Sequence, residues 1–472
     1  MKKFENMERN RKLYKTCFII TVLLLFSYTS VICQNRQDIG IKSKKPNIIF
    51  ILVDDLGWSE LESYGSNFNK TPHLNKLGKS GMLFTHAYAA APVCSPTRAA
   101  LLTGLYPARI GITDYLRPNG FEHLSTDYIT LPEILQKHGY QTGIVGKWHL
   151  SGYEKEGGKE VGPRKHGFDE VIMTENRGIA WGSYFYPYHF NCEVKKKLPG
   201  NEYLINRLNV EAVEFIERNR NKPFFLYLSH YAVHTALQGR EDLVKEFENK
   251  PNAGQGQLAT KNNPHLAAML QDIDTGVGMI VEKLETLGFL ENTILIFTSD
   301  NGGESDWENA VTTNAPLRGG KSTLYEGGIR VPLIISWPSK IQGGSVCKFP
   351  VITNDFYPTL LELAGIFSYK NQQLDGVSIA PLLIGLETNL DRNTLFWHYP
   401  LEEQHFLGGT SSGAIKEGDW KLIEFYDRGK LELYNLKEDP EETKDLVTIL
   451  PQEAALMQDK LNVWRKKVTD KR

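Results

Sequence analysis

The sequence predicts an α/β protein with a large mixed, mainly parallel sheet sandwiched by helices, followed by a smaller C-terminal antiparallel sheet with a packed helix. Three observations predict this class. Apolar runs over 46–53, 223–228 and 293–297 have the pattern of strands buried on both faces, and amphipathic helical segments separate them. The alternation ends near residue 390, where hairpin and helix patterns follow. The 472 residues are enough for two domains.

The charge balance of the chain argues against some classes of partner. There are 54 Lys and Arg residues against 56 Asp and Glu residues, a formal net charge of −2. Because the chain has no overall positive field, we expect no nucleic-acid partner. An anionic substrate must then be held by local cations.

The first 33 residues have the pattern of a secretory signal peptide. Six basic residues precede an uncharged run over 16–26, and small or polar residues continue to Cys33. We expect cleavage before Gln34, a polar linker over 34–44, and a bacterial protein exported to the periplasm or the medium. Since the apolar run is short for a span, we expect no stable membrane insertion. An uncleaved N-terminal anchor is the alternative.

We expect a catalytic domain over 45–390 and an α+β subdomain over 391–472. The first strand, 46–53, ends in Asp54 and Asp55, at the edge where open α/β sheets bind their ligands. Repulsion between two adjacent carboxylates favours a bound cation at this point. A solvated turn is the alternative.

Cys94 lies where the sequence predicts the start of a helix. Ser95 can cap that helix, and Pro96 suits its first position. We therefore expect the helix dipole to lower the pKa of the Cys94 thiol and to attract anions. The alternative is a small residue packed before a helix.

Polar side chains follow several predicted strands. Lys147 and His149 come after one strand, and this pair suits an anion site with an adjacent proton carrier. His230 and His234 come after another. The periodicity predicts helices over 131–138, 204–217, 265–287 and 357–364 and further strands over 141–145 and 331–337. The alternative for Lys147 and His149 is a surface position, where such a pair of residues is usually found.

The segment from 152 to 199 is irregular and rich in glycine and aromatic residues. Long irregular segments are often binding loops, and aromatic faces beside cations suit a sugar ring. We expect substrate contacts from Arg177, Trp181 and Tyr186 in this segment. Packing of the rings beneath a loop is the alternative.

Asp300 and Asn301 follow the strand at 293–297, and two glycines after them allow a sharp turn. A glycine-bordered loop then carries Arg318 and Lys321. Its spacing fits neither a P-loop nor a dinucleotide fingerprint. We expect Lys321 to bind an anion, and Arg318 and His230 to be further substrate contacts.

The candidate metal ligands all end in oxygen atoms: Asp54, Asp55, Asp300 and Asn301. Oxygen ligands indicate a hard cation. Ca²⁺ tolerates an irregular coordination shell, whereas Mg²⁺ requires a strict octahedron, so we favour Ca²⁺. The absence of a Cys or His cluster in the sequence argues against zinc.

These segments together resemble, in chain order, the motifs of type I sulfatases of the alkaline phosphatase superfamily. The resemblance covers most of the mature chain. One of these segments is Cys94-x-Pro96-x-Arg98, which matches the signature that directs oxidation of the cysteine to formylglycine, and the ordered set of motifs is more specific than any one of them. The other matching segments are the strand ending in Asp54 and Asp55, Thr103-Gly104, residues 146–149, the His234 segment, residues 300–303, the Lys321 loop and the C-terminal hairpin over 420–434, which a helix over 453–468 follows.

The resemblance implies a role for each matching residue. Cys94 becomes formylglycine (3-oxoalanine) through a formylglycine-generating maturation enzyme, and its hydrate is the nucleophile that Arg98 holds. Asp54, Asp55, Asp300, Asn301 and the converted Cys94 bind one Ca²⁺. Lys147 and Lys321 offset charge on the sulfuryl oxygens. His234 protonates the departing hydroxyl, and His149 takes the proton from the hydrate.

The conversion of Cys94 also bears on the other cysteines. Cys17 and Cys33 lie in the signal segment, so conversion of Cys94 leaves Cys192 and Cys347 as a possible disulfide in the mature chain.

We therefore expect an exported carbohydrate sulfatase that hydrolyses sulfate esters of a polysaccharide, either an algal polymer such as ulvan or carrageenan or a glycosaminoglycan. Two alternatives remain open. A phosphomonoesterase or phosphonate hydrolase of the same superfamily would use the same metal and nucleophile. A non-catalytic glycan-binding protein would keep the pocket as an anion receptor.

Overall fold

The computed structural model describes residues 45–117, 120, 122–151, 161–175, 183–191, 193–305, 310–367 and 372–470. The expected signal peptide over 1–33 and linker over 34–44 lie outside these ranges, and so does Cys192, the expected partner of Cys347. These three expectations stay predictions. Cys347 itself is buried and has no disulfide partner among the described residues.

The described ranges contain thirteen strands and eleven α-helices. The strands are β1 Asn47–Val53, β2 Met82–Tyr88, β3 Gln141–Gly146, β4 Glu170–Ile172, β5 Phe224–Ser229, β6 Thr293–Ser299, β7 Arg330–Ser336, β8 Ser345–Cys347, β9 Val351–Ile352, β10 Thr394–Tyr399, β11 Ser412–Glu417, β12 Trp420–Phe425 and β13 Lys430–Asn435. The helices are α1 Pro72–Ser80, α2 Cys94–Thr103, α3 Pro107–Ile110, α4 Leu131–Lys137, α5 Leu204–Arg218, α6 Glu241–Glu248, α7 Pro264–Thr286, α8 Glu326–Ile329, α9 Phe356–Leu363, α10 Ala380–Leu383 and α11 Pro451–Thr469. Within these ranges, no helix has both the length and the apolar character needed to cross a membrane.

The larger sheet has the strand order β4-β3-β5-β1-β6-β7-β2-β8, and β9 pairs with β2. The strands from β4 to β6 run parallel to one another, with β1 between β5 and β6. The strand β7 is antiparallel to both of its neighbours, β6 and β2. The expected mixed, mainly parallel sheet is therefore confirmed.

Alternate residues of β1 pack into two different hydrophobic cores. Ile48, Phe50 and Leu52 lie in one core, together with apolar residues of α2, α4 and α9. Ile49, Ile51 and Val53 lie in the other, together with residues of α1, α5 and α7. Because successive side chains of a strand point to opposite faces, an apolar run of this kind needs a helix layer on each face. The expectation that helices sandwich the sheet is confirmed.

The second sheet is antiparallel, in the order β10-β11-β12-β13. The predicted hairpin is its β12 and β13, and the sequence analysis assigned neither β10 nor β11. The closing helix α11 packs on it through Trp464, whose ring stacks on Phe396 at 4.9 Å between centroids. Trp397 of β10 donates an indole N–H to the Ala89 carbonyl at 2.8 Å, which ties this sheet to the end of β2. A domain boundary at residue 390 stays a prediction.

A buried ion cluster also joins the two sheets. Lys421 of β12 lies 3.0 Å from Glu326 at the start of α8 and 2.9 Å from Glu442, and all three side chains are fully buried. Burial opposes ionisation of Glu326, but the charges of Lys421 and Arg330 hold its pKa below the usual value. The backbone N–H of Glu326 donates to Glu442 at 2.7 Å. The cluster therefore fixes the end of the loop that carries Lys321.

Replacement of Lys421 by Met should destabilise the protein strongly, because two buried carboxylates would lose the ammonium that both of them contact. We expect the free energy of unfolding to fall by about 3–5 kcal/mol in equilibrium urea unfolding. The matched control is Lys460→Met, since Lys460 pairs with Glu417 at 2.5 Å but is 52% exposed. That control should cost less than about 1 kcal/mol. Equal losses in the two variants would contradict the prediction.

Candidate active site

The candidate site lies at the carboxyl edge of the larger sheet. Parallel strands end at the same edge, so residues that follow β1, β3, β5 and β6 meet there although they are far apart in the chain. Asp54 and Asp55 follow β1, Lys147 follows β3, and Asp300 follows β6. Backbone bonds hold these ends in register: Asp300 N–H donates to Val53, and Lys147 N–H donates to Ser229 at the end of β5.

One half of the site is a fully buried charge network. The Arg98 guanidinium donates to Asp300 Oδ2 through Nε at 3.0 Å and Nη2 at 2.6 Å, and to Ser229 Oγ at 2.5 Å. Lys147 Nζ donates to Asp54 Oδ2 at 2.5 Å. Arg98, on α2, therefore contacts a metal-ligand candidate rather than solvent, and it connects the Cys94 helix to β6.

The other half of the site surrounds Asp55. Lys321 Nζ lies 2.6 Å from Asp55 Oδ2 and 3.2 Å from Glu304 Oε1. Asn301 donates its amide to Asp55 Oδ1 at 2.7 Å. His234 Nε2 lies 3.7 Å from Asp55 Oδ2, and its side chain is 25% exposed, so this ring lies at the open side of the cluster.

Cationic side chains surround the carboxylates of the site and change their pKa values. Burial opposes their ionisation, but Lys147 lowers the pKa of Asp54 and Lys321 lowers that of Asp55. Asp300 behaves differently, because burial and the neighbouring charge of Asp54 raise its pKa. Three carboxylates at this separation repel one another, and an additional cation would relieve that repulsion.

The residues present fit a hard metal ion. Oxygen atoms of Asp54, Asp55 and Asp300 lie within 4.8 Å of one another. Asp54 Oδ1 and Asn301 Oδ1 are buried and have no hydrogen-bond partner among the described residues. Buried acceptors without a donor are costly unless a cation binds them. Asp55 and Glu304 form a second acidic group with His234, but the Lys321 ammonium already bridges these two carboxylates.

The start of α2 differs from the sequence expectation. The helix begins at Cys94, and its N-cap is Val93, which makes no side-chain cap. Ser95 does not cap the helix, because its Oγ accepts a hydrogen bond from the Leu116 N–H at 3.0 Å. Pro96 is the third helical residue rather than the first. It is tolerated there because the N–H groups of the first turn have no intrahelical acceptor.

The expected lowering of the Cys94 thiol pKa is wrong. Cys94 is 2% exposed. Burial raises the pKa of its thiol to about 11, with Lys147 acting in the opposite direction and Asp54 in the same one. Desolvation and the nearby carboxylates therefore outweigh the ammonium groups of Lys147 and Lys321. At neutral pH the unmodified thiol is protonated and unreactive.

His149 is oriented so that one nitrogen faces residue 94. Its Nδ1 lies 3.2 Å from Cys94 Sγ, and its Nε2 lies 3.0 Å from the Leu116 carbonyl oxygen. Because a carbonyl only accepts, Nε2 carries the hydrogen. Burial and the charges of Lys147 and Arg98 lower the pKa of His149, so the ring is neutral and Nδ1 is a proton acceptor.

The backbone at His149 is held in an uncommon conformation, with φ of 55°. The N–H groups of Trp148 and His149 both donate to the Glu175 carboxylate, the first of them at 2.8 Å to Oε2. Glu175 also accepts from Tyr231 at 3.0 Å. A left-handed conformation of a non-glycine residue needs such support.

Of the expected substrate contacts, the structure describes His230, Tyr186 and Arg318, and their role stays a prediction. Arg177 and Trp181 lie outside the described residues. His230 is fully buried, and burial lowers its pKa to about 3. Tyr186 packs edge-on against Tyr188 at 5.6 Å. Arg318 donates to Tyr434 and to the Glu442 carbonyl, so it contacts the second sheet.

Two residues of the site were missed by the sequence analysis. Glu304 bridges Lys321 and Thr235, with the Thr235 hydroxyl donating to it at 3.0 Å. Its position directly after the glycines that follow Asn301 is a local signal that could have identified it. Glu175 lies in an irregular segment without periodicity, so nothing local distinguishes it from a surface residue.

Comparison with known proteins identifies the family. Residues 46–366 match the family described as Sulfatase, and residues 320–468 match the one described as N-sulphoglucosamine sulphohydrolase, C-terminal. The chain belongs to the sulfatase family. It is a type I sulfatase of the alkaline phosphatase superfamily and a sulfuric ester hydrolase.

Similar proteins cover most of this sulfatase. The protein named Sulfatase from Formosa agariphila is 31% identical, and the match covers 94% of this chain and 93% of the relative. Steryl-sulfatase from Rattus norvegicus is 30% identical and covers 80% of this chain and 76% of its own length. A solved structure, the crystal structure of Ps i-CgsB in complex with k-i-k-neocarrahexaose, is also similar. Its chain is 32% identical in sequence, the TM-score is 0.77, and the match covers 89% of this chain and 93% of the Ps i-CgsB chain.

Addition of Ca²⁺ to the metal-stripped sulfatase should raise its melting temperature by at least about 2 °C at saturation, because a ligand of the native state stabilises it. Mg²⁺ at the same concentration should raise it less.

Asn301→Ala removes one buried acceptor without a change in charge, so the midpoint of the Ca²⁺ titration should move to higher concentration.

The matched control is Asn219→Ala, since Asn219 caps the end of α5 before β5 begins, away from the carboxyl edge of the sheet. The control should titrate as the wild type does. A wild type that does not respond to Ca²⁺, or an unchanged midpoint in Asn301→Ala, would contradict the metal assignment.

Proposed function

We propose that this sulfatase is an exported enzyme that removes sulfate from a sulfated polysaccharide or its oligosaccharides. The observation that carries the reaction is the position of residue 94: its sulfur lies 3.2 Å from His149 Nδ1, and the charges of Lys147, Asp54, Lys321 and Asp300 all act on the pKa of its thiol. The signal pattern over 1–33 supports export. The neocarrahexaose bound to a structural relative supports a carbohydrate substrate.

We propose that Cys94 is converted to formylglycine by a maturation enzyme. The hydrate of the aldehyde would supply an oxygen nucleophile. The unmodified thiol, with its pKa raised to about 11 by burial, is a poor nucleophile at neutral pH. This supports conversion, because the residues around position 94 are arranged for proton transfer and charge stabilisation.

Asp54, Asp55, Asp300 and Asn301 would hold Ca²⁺, which would supply positive charge close to the sulfate group. The ammonium groups of Lys147 and Lys321 contact different carboxylates of the cluster, one Asp54 and the other Asp55. They would stabilise negative charge on the oxygens of the sulfate ester in the transition state.

The two histidines would move protons at different atoms. His149 Nδ1, a proton acceptor 3.2 Å from the position 94 side chain, would take a proton from the converted residue. The Nδ1 of His234 donates to the Thr235 carbonyl at 2.7 Å, which leaves Nε2 directed at Asp55 on the partly exposed side. Protonated at Nε2, His234 would supply the proton to the departing sugar oxygen.

The function is tested with defined sulfated oligosaccharides and their phosphate analogues. We expect release of inorganic sulfate with a kcat/KM at least about a hundredfold above that for the matched phosphate ester. NMR of the products would identify the carbon that loses sulfate. A preference for the phosphate ester would instead support a phosphomonoesterase or phosphonate hydrolase, and the absence of any ester hydrolysis would support a glycan-binding protein.

The nucleophile is tested by peptide mass spectrometry of active enzyme. We expect residue 94 to have the mass of an aldehyde or its hydrate rather than of a thiol. Cys94→Ala should lose activity by at least about three orders of magnitude, because the nucleophile is removed, while its melting temperature stays close to that of the wild type. Cys347→Ala is the control, since it removes the other buried free thiol among the described residues. Full activity with an unmodified thiol at position 94 would contradict the assignment.

A further inference from the structure

A cluster of aromatic rings lies next to the site and takes no part in the proton and charge chemistry described above. Tyr115, His405 and Phe406 form this cluster, which we call the aromatic platform. The His405 ring stacks on Phe406 at 4.4 Å between centroids, and Tyr115 contacts the two rings edge-on at 5.5 and 6.5 Å. Phe406 is 66% exposed. An exposed phenyl ring at the edge of a catalytic site is a feature of ligand recognition.

Two loops carry the platform, and each is fixed to a catalytic residue. In the first loop, Leu116 follows Tyr115, and its carbonyl accepts from His149 Nε2 at 3.0 Å. In the second, the backbone of Gly409 lies against Ser322, the residue after Lys321, so closely that a Cβ at Gly409 would be 1.9 Å from the Ser322 carbonyl oxygen. The platform is therefore held beside the residues that surround position 94.

His405 is only 7% exposed and supports the exposed Phe406 ring from within the protein. Burial and the charges of Lys321 and Arg117 lower its pKa to about 4, so the ring is neutral at physiological pH. Its Nδ1 accepts from the Leu407 N–H at 3.1 Å, which fixes the orientation of the ring. The platform therefore presents the exposed Phe406 ring, supported by a neutral His405.

Arg117 adds a cation at the edge of the platform. Its guanidinium lies 4.0 Å from the centre of the Tyr115 ring and pairs with Asp114 at 3.1 Å, and its side chain is 54% exposed. Stacking and the ion pair limit the conformations of the guanidinium, but they leave much of it accessible. A planar guanidinium of this kind binds sulfate or carboxylate groups through paired hydrogen bonds.

We propose that the aromatic platform and Arg117 form the subsite for the sugar of the substrate, with a sugar face on the rings and a second anionic group on Arg117. The preferred substrate is then an oligosaccharide with at least two anionic groups, one of them the ester that is cleaved and the other a sulfate or carboxylate nearby. This inference rests on the proposed carbohydrate sulfatase function. It places the sugar contacts on loops from both sides of residue 390, rather than on Tyr186 or Arg318.

The test uses two substitutions of exposed side chains. The substrates are a disaccharide that carries one sulfate and the same disaccharide with a second sulfate, with 4-nitrophenyl sulfate as the sugar-free reference for the wild type. Phe406→Ala should raise the KM for the disaccharide by about tenfold, because it removes the exposed ring. Arg117→Met should reduce the preference for the disulfated over the monosulfated disaccharide, as a ratio of kcat/KM values, by about tenfold.

Matched controls separate these effects from a general loss of surface side chains. Phe367→Ala removes a phenyl ring that is 61% exposed and is not part of the platform. Arg220→Met removes a guanidinium that is 56% exposed and pairs with Glu217, in the turn that precedes the amino end of β5. Both controls should retain the wild-type KM and substrate preference, and melting temperatures should show that all four variants fold.

The outcomes distinguish the two proposals. A wild type that cleaves the sulfated disaccharides, with Phe406→Ala and Arg117→Met no different from their controls, overturns the subsite but leaves the carbohydrate sulfatase function in place. A wild type that hydrolyses only 4-nitrophenyl sulfate overturns the proposed function and the subsite with it. An increased KM in Phe406→Ala and a reduced preference in Arg117→Met support both.

Discussion

The burial of three carboxylates at one point is the constraint on which the rest of this structure depends. Asp54, Asp55 and Asp300 lie within a few ångströms of one another and are almost completely shielded from water. Burial of an ionised carboxylate costs several kcal/mol unless a counter-ion lies nearby. The fold provides these counter-ions from three separate segments, as Arg98, Lys147 and Lys321, and the unpartnered oxygens that remain fit a further cation. The same balance of charge that permits burial therefore concentrates cations at the place where we propose that the sulfate ester binds.

This constraint explains why the second sheet matters to the site. Lys321 lies on a loop with several glycines, one of which, Gly319, has a φ of 74°, and such a loop has little rigidity of its own. On one side, Ser322 N–H donates to the Pro92 carbonyl at 2.8 Å, next to the Cys94 segment. On the other, the buried Lys421 cluster holds the end of the loop against β12. The C-terminal sheet therefore positions a lysine of the site.

The relatives of this chain are named for chemically different substrates, which agrees with a sheet edge that binds the shared sulfate group and loops that bind the rest. The family that matches residues 46–366 includes proteins named for steroid and for carbohydrate substrates. The charged cluster at the sheet edge is suited to the sulfate group that all such substrates share. Groups that differ between substrates must then meet the loops around it, and the loops with Tyr115 and Phe406 are ones that the structure places beside the cluster. Loops can change without disturbing a buried sheet, since few core contacts depend on them.

The sequence by itself determined the main architecture, because the signals for it are local. The apolar run of β1 is long enough to predict burial on both faces, and the polar residues at the ends of β1, β3 and β6 are visible as interruptions of that pattern. The sequence also predicted that Cys94 lies at the start of a helix, but it did not predict the N-cap residue of that helix. What only the tertiary structure decided was which groups meet. The pairing of Lys147 with Asp54 and of Lys321 with Asp55, the antiparallel insertion of β7, and the aromatic platform all join segments that are far apart in the chain. The raised pKa of the Cys94 thiol has the same origin, because desolvation depends on what the fold packs around a residue, and no local pattern records that.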